Sequence, residues 1–135
     1  MANALYDKAR ELFLTAGLNW SSSDIKAVLV DTAGYTVNIS TDQYLADIGG
    51  TYRIATSANF TGKTTTGGAA DADNVTFTSV SGASIEAIVI YKDTGVAATS
   101  PLIAYIDTAT GLPITPNGGD IILSFDNGAN KIFKL

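Results

Sequence analysis

At 135 residues, with no cysteine and no histidine, the chain is long enough for one domain with a buried core. It lacks thiolate nucleophiles, disulfides, the usual acid–base group at neutral pH and the Cys- or His-based zinc sites. The formal net charge is -5, and the eight Lys and Arg residues are scattered singly, which excludes the clustered basic footprint of a nucleic-acid binder; with only 16% charged residues, where about 25% is usual, much of the surface falls to Thr, Ser, Asn and Gly, or to a partner.

The opening MANALYDKARELF places charges where a secretory signal would hold its apolar core. No apolar run reaches the roughly 20 residues of a membrane span, so the chain is expected to be intracellular in origin and soluble, with no membrane partner. Residues 4–16 predict one amphipathic helix: Asn3 can cap it, Gly17 can end it, and Leu5, Ala9, Leu12, Phe13 and Ala16 share a face at helical spacing. Leu14 points away from that stripe, which makes it either a single exposed Leu or a partner contact. Trp20, just after the helix, reads as a core plug, with an interface anchor as the alternative.

Beyond Trp20 the pattern turns to short runs rich in Val, Ile, Thr and Tyr, separated by Gly, Asn and Asp. Candidate strands are 25–31, 35–40, 51–57, 74–80, 84–92, 101–107, 120–125 and 130–135. They predict a mainly β chain, a single antiparallel β-sandwich or barrel-like domain over 25–135 preceded by the short N-terminal helix. The stretch NFTGKTTTGGAADAD (59–73) reads as a long, flexible surface loop with little core of its own, and DNG at 126–128 suits a tight hairpin.

Asp-Thr-Gly at 93–95 is the tripeptide that carries the catalytic carboxylate of aspartic proteases. That chemistry needs an apolar residue before the Asp, because the paired carboxylates share a proton in a desolvated floor. Here Lys92 precedes it. The stretches VLVDTAG, VIYKDTG and AYIDTATG share one cadence, an aliphatic strand followed by Asp-Thr and then Gly, so Asp31, Asp93 and Asp107 read as strand-ending turn residues and the chain as no enzyme. TGKTTT lacks the first glycine of a phosphate-binding loop, since Ser57 stands in its place. Asp71, Asp73 and Asn74 lack the Gly and distal Glu of a calcium loop. No cofactor or metal is expected. NWS, NIS, NFT and NVT have the form of glycosylation sequons but read more simply as an Asn- and Thr-rich β surface.

Two stretches carry a likeness. ALYDKARELFLTAGLNWSSSDIKAVLVDTAGYTVN (4–38) resembles the opening of small structural proteins encoded by tailed bacteriophages, and PLIAYIDTATGLPITPNGGDIILSFDNGANKIFKL (101–135) is similar to their closing segment. The resemblance implies a virion component, most like a capsid decoration or cement protein that binds the outside of the head and bridges neighbouring capsid subunits. It further implies the major capsid protein as partner and self-association as a homotrimer. The candidate contact elements are the helix side around Leu14, Trp20 as an anchor, the 59–73 loop with Phe60, and the turn TGLPITPNGG (110–119) with Leu112, Pro113, Ile114 and Pro116, two prolines lowering its ordering cost. That turn also reads as a plain strand connection. A neck or tail component and a fibre-associated carbohydrate- or receptor-binding module are the competing readings.

Overall fold

The computed structural model describes residues 3–125, 128 and 131–135. The chain is mainly β with one helix, α1 (Asp7–Leu14). The strands are β1 (Ala4–Leu5), β2 (Ile25–Val30), β3 (Arg53–Thr56), β4 (Ala69–Ala70), β5 (Val75–Phe77), β6 (Ala87–Lys92), β7 (Leu102–Ile106), β8 (Ile121–Leu123) and β9 (Phe133–Lys134). Five of them form an antiparallel sheet in the order β1-β7-β6-β2-β3. The other four pair as two separate antiparallel ladders, β4 with β9 and β5 with β8.

The three central strands, IKAVLV, AIVIYK and LIAYI, are near-continuous apolar runs, and nearly every residue in them is buried. A strand covered on one face alternates apolar and polar; one covered on both does not. Val28 lies opposite Val89 and Val89 opposite Tyr105, all on one face, while Leu29 opposite Ile88 and Ile88 opposite Ile106 define the other. On the first face the Tyr35 ring stands 6.5 Å from that of Tyr105, and the buried Tyr35 hydroxyl links Tyr6 (2.9 Å) to the Asp42 carboxylate (2.7 Å). Residues of both short ladders, among them Ala70, Val75 and Phe77, join the same core cluster as the sheet.

The expected helix is shorter at both ends. Ala4 and Leu5 pair with Tyr105 and Ala104 and finish the edge of the sheet. Asn3 therefore caps no helix; its side-chain oxygen accepts the N–H groups of Asp107 and Thr108, both at 2.9 Å. At the other end the left-handed residue is Ala16 (φ 61°) instead of Gly17, and the Gly17 N–H closes back on the Leu12 carbonyl at 2.7 Å, the bond that ends a helix in a Schellman turn. As expected, Ala9 is buried and Leu12 and Phe13 pack against the core.

Residues 35–40 form no strand. The Asn38 side-chain oxygen accepts the N–H groups of Ser40 and Thr41, and Asp42 accepts that of Asn38, so local side chains take the backbone donors that a ladder needs. The 59–73 stretch holds more core than its composition suggested: Phe60, Ala69 and Ala70 are buried, β4 lies within it, and Thr64 bridges Asp71. Gly34 is required by a close approach, since a Cβ there would meet the Tyr52 ring at 1.9 Å. The expected hairpin at 126–128 falls largely outside the described residues.

Candidate functional site

Each of the three Asp-Thr stretches follows the end of a sheet strand. Asp31, after β2, accepts the Ala33 N–H at 2.9 Å, and Asp93, after β6, accepts the Gly95 N–H at 2.9 Å. Asp107 accepts the Thr108 hydroxyl at 3.1 Å, its turn stapled by Asn3. The Asp93 carboxylate lies 2.8 Å from the Lys26 ammonium on the neighbouring strand. That contact and the Gly95 N–H hold its carboxyl below the usual carboxylate range. The geometry at Asp93 is that of an ion-paired turn residue.

The phosphate-loop and calcium-like stretches are held by contacts within this chain. Lys63 donates to the Ser23 carbonyl, and Thr61 donates to the Asp73 carboxylate at 3.1 Å. Among the described residues no group of three or more His, Cys, Asp or Glu could hold a metal ion, and no helix is long and apolar enough to cross a membrane.

What the molecule does present is a groove of about 970 Å³. Its floor is the second face of the sheet, with Leu29, Ile88, Ala104 and Ile106, joined by Leu5 from the edge strand. Leu112 and Ile114 line it at one side, where Ile114 also exchanges backbone hydrogen bonds with Ile85 at 2.8 Å. The C-terminal strands β8 and β9 also wall it, through residues 121–125 and 131–134. Among the described residues, Arg10, Lys131 and Lys134 are the charged residues of the lining; the Arg10 guanidinium is ion-paired with Asp7 at 2.8 Å, and the Lys131 ammonium lies 3.9 Å from the Asp71 carboxylate.

The predicted contact residues separate into three sets. Leu112 and Ile114 meet in the groove lining, half-buried, with Pro113 exposed and Pro116 half-buried on the same turn. Leu14 stands apart at 87% exposure. Trp20 and Phe60 are buried, which withdraws both from any contact surface and makes Trp20 a core plug. Their rings meet edge to face at 6.1 Å, and Trp20 continues to Phe133 at 5.3 Å, Phe133 to Phe13 at 6.0 Å, and Phe60 to Phe125 at 5.4 Å. This aromatic chain ties the helix and the junction after it to the C-terminal strands, each close pair contributing about 0.5–1.5 kcal/mol beyond its burial.

Sequence reasoning missed the groove residues on β8 and β9. Their signal was the alternation Ile121, Leu123, Phe125, which marks one face of a strand but says nothing about whether that face is fully covered. Comparison of the chain with models of known protein families, and with curated proteins, gave no match.

Proposed function

We propose that the chain is a capsid decoration (cement) protein of a tailed bacteriophage, carried on the outside of the head, where it bridges neighbouring copies of the major capsid protein. One observation carries the reading: the two stretches with phage-like sequence, 4–38 and 101–135, lie far apart in the chain but pair as β1 and β7 and line the same groove, with Asn3 and Ile88 the contributors from outside them. A likeness confined to unrelated surface segments would not assemble one shared feature.

In this reading the five-stranded sheet is one layer of a β-sandwich and the two short ladders are an interrupted second layer. The groove opens at the interruption. The subunits associate as a homotrimer at local three-fold positions, and repetition over the shell turns modest single contacts into a durable one. The Asp93 turn supports a binding role over hydrolysis, since its carboxylate is held by Lys26.

The test is the copy number of the protein in purified virions relative to the major capsid protein, by quantitative mass spectrometry. Abundance comparable to the capsid protein is the expected result. A small fraction of that abundance would move the protein to the neck, tail or fibre, and absence from the particle would end the virion reading.

A further inference from the structure

Between the turn that lines the groove and the first residue of β8, the chain runs alongside Val80. The Gly118 N–H donates to the Val80 carbonyl at 2.7 Å, and the Val80 N–H donates to the Gly119 carbonyl at 2.9 Å. One residue further, the Ser79 N–H donates to the Asp120 carboxylate at 2.9 Å. Val80 is buried, and this pairing prolongs the ladder of β5 with β8, in which Phe77 lies opposite Ile121. Asn117 and Gly118 are exposed, and the Asn117 side-chain oxygen accepts the Gly119 N–H at 2.9 Å. Gly118 holds φ 85°, a conformation that glycine adopts at no steric cost.

Asn is a thermolabile residue, and a following glycine, with no Cβ, leaves its own nitrogen open to the Asn side chain. In that reaction the Gly118 nitrogen bonds to the Asn117 Cγ and loses its proton, and the side-chain nitrogen leaves as ammonia. Water then opens the cyclic imide at one of its two carbonyls, giving aspartate or an isoaspartate whose main chain runs through the former side chain. Here both reacting groups are held, the Gly118 N–H by Val80 and the Asn117 side chain by Gly119. A hydrogen-bonded amide gives up its proton only when its bond opens. We infer that the Asn117-Gly118 pair is a latent modification site, closed to imide formation while its segment is paired with Val80 and converted when that pairing opens. The conversion is one-way. Isoaspartate lengthens the main chain between residues 117 and 118, which displaces the Gly118 N–H and the Gly119 carbonyl from Val80. Either product also adds a negative charge close in sequence to Asp120, whose carboxylate holds Ser79. A transient opening thus leaves a permanent mark, and it loosens the link between β8 and the turn that carries Leu112 and Ile114 into the groove.

The test incubates the full chain at mildly alkaline pH, folded and unfolded in guanidinium chloride. Peptide mapping by mass spectrometry follows the conversion and reads Asn117 apart from Asn127, which Gly also follows. Asn117 is expected to convert at least about tenfold more slowly in the folded chain. The slowing should be no smaller than the hydrogen-exchange protection of the Gly118 amide, since both processes need the bond to Val80 to open. Equal rates in the two states would overturn the inference, and so would a faster folded chain, because the fold would then present the geometry of attack. The variant Asp120→Ala removes the acceptor of the Ser79 N–H. It is expected to speed both Gly118 exchange and Asn117 conversion by about threefold or more, while the amides of β6 keep their protection. A conversion rate that fails to follow Gly118 exchange would separate the chemistry from the Val80 pairing. One that rises only in step with the β6 amides would tie it to global unfolding, and either result sinks the idea of a locally gated site.

Discussion

Asp93 shows what one carboxylate can report. Its oxygens serve two partners, the Gly95 N–H and the Lys26 ammonium, and Asp93→Asn keeps an acceptor for the first while removing the charge seen by the second. With its folded pKa lowered below the ordinary value of 3.8, the carboxylate adds stability that is present above that value and is lost as pH falls through the folded pKa. Lys26, raised by the same contact, adds stability that is present below its ordinary value of 10.5 and is lost as pH rises through its folded pKa. Both groups are about one-quarter exposed, so the pair is worth only about 0.5–1 kcal/mol. Urea unfolding across pH is expected to show Asp93→Asn less stable than the parent chain by this amount at pH 7. The gap should close as pH falls below the ordinary carboxylate value. A gap that persists unchanged into strong acid would mean that the substitution damages the turn itself.

At the scale of the element, the helix end is the clearest departure from local preference. Ala16 holds a left-handed conformation (φ 61°), which costs a residue with a Cβ about 1–2 kcal/mol, and it is held there by the bond from Gly17 to Leu12 and by the burial of Leu18 just beyond. Glycine would relieve the strain but lose more entropy on folding. Ala16→Gly is therefore expected to raise stability by about 0.5–1 kcal/mol, read as a higher urea midpoint at unchanged slope. A lower midpoint would show that the Schellman turn is not what ends α1. The strand β1 makes the same point from the other side. Ala4 and Leu5 have good helical propensity, yet an open edge beside β7 claims them, and a sheet edge two residues long is enough to move the helix start to Asp7.

At the scale of the whole molecule, stability is unevenly distributed. β2, β6 and β7 are buried on both faces, whereas β8 and β9 are half-buried or exposed and, among the described residues, each is paired on one side. Native-state hydrogen exchange is expected to find the hydrogen-bonded amides of the three central strands opening only with global unfolding, and those of β8 and β9 opening through a smaller, less costly event. Equal opening energies across all five strands would contradict this partition. The same division separates what the sequence by itself determined from what the tertiary structure decided. Three apolar runs ending in Asp-Thr were legible as strands closed by turns, because strand propensity, burial and Asx geometry are set within a few residues. So were the apolar face of α1 and the core role of Trp20, whose size and position after the helix already argued for burial. Residues 35–40 misled because their β-branched alternation was outweighed by Asn38 and Asp42, which bind the nearby backbone. Phe60 misled because the small polar residues around it gave no sign that its ring would meet Trp20 and Phe125. The groove was invisible for a deeper reason. It is walled by β8 and β9, which take partners distant in sequence, β5 and β4, and, among the described residues, not each other, and periodicity along a strand specifies which side chains share a face but carries no record of which strand lies beside it.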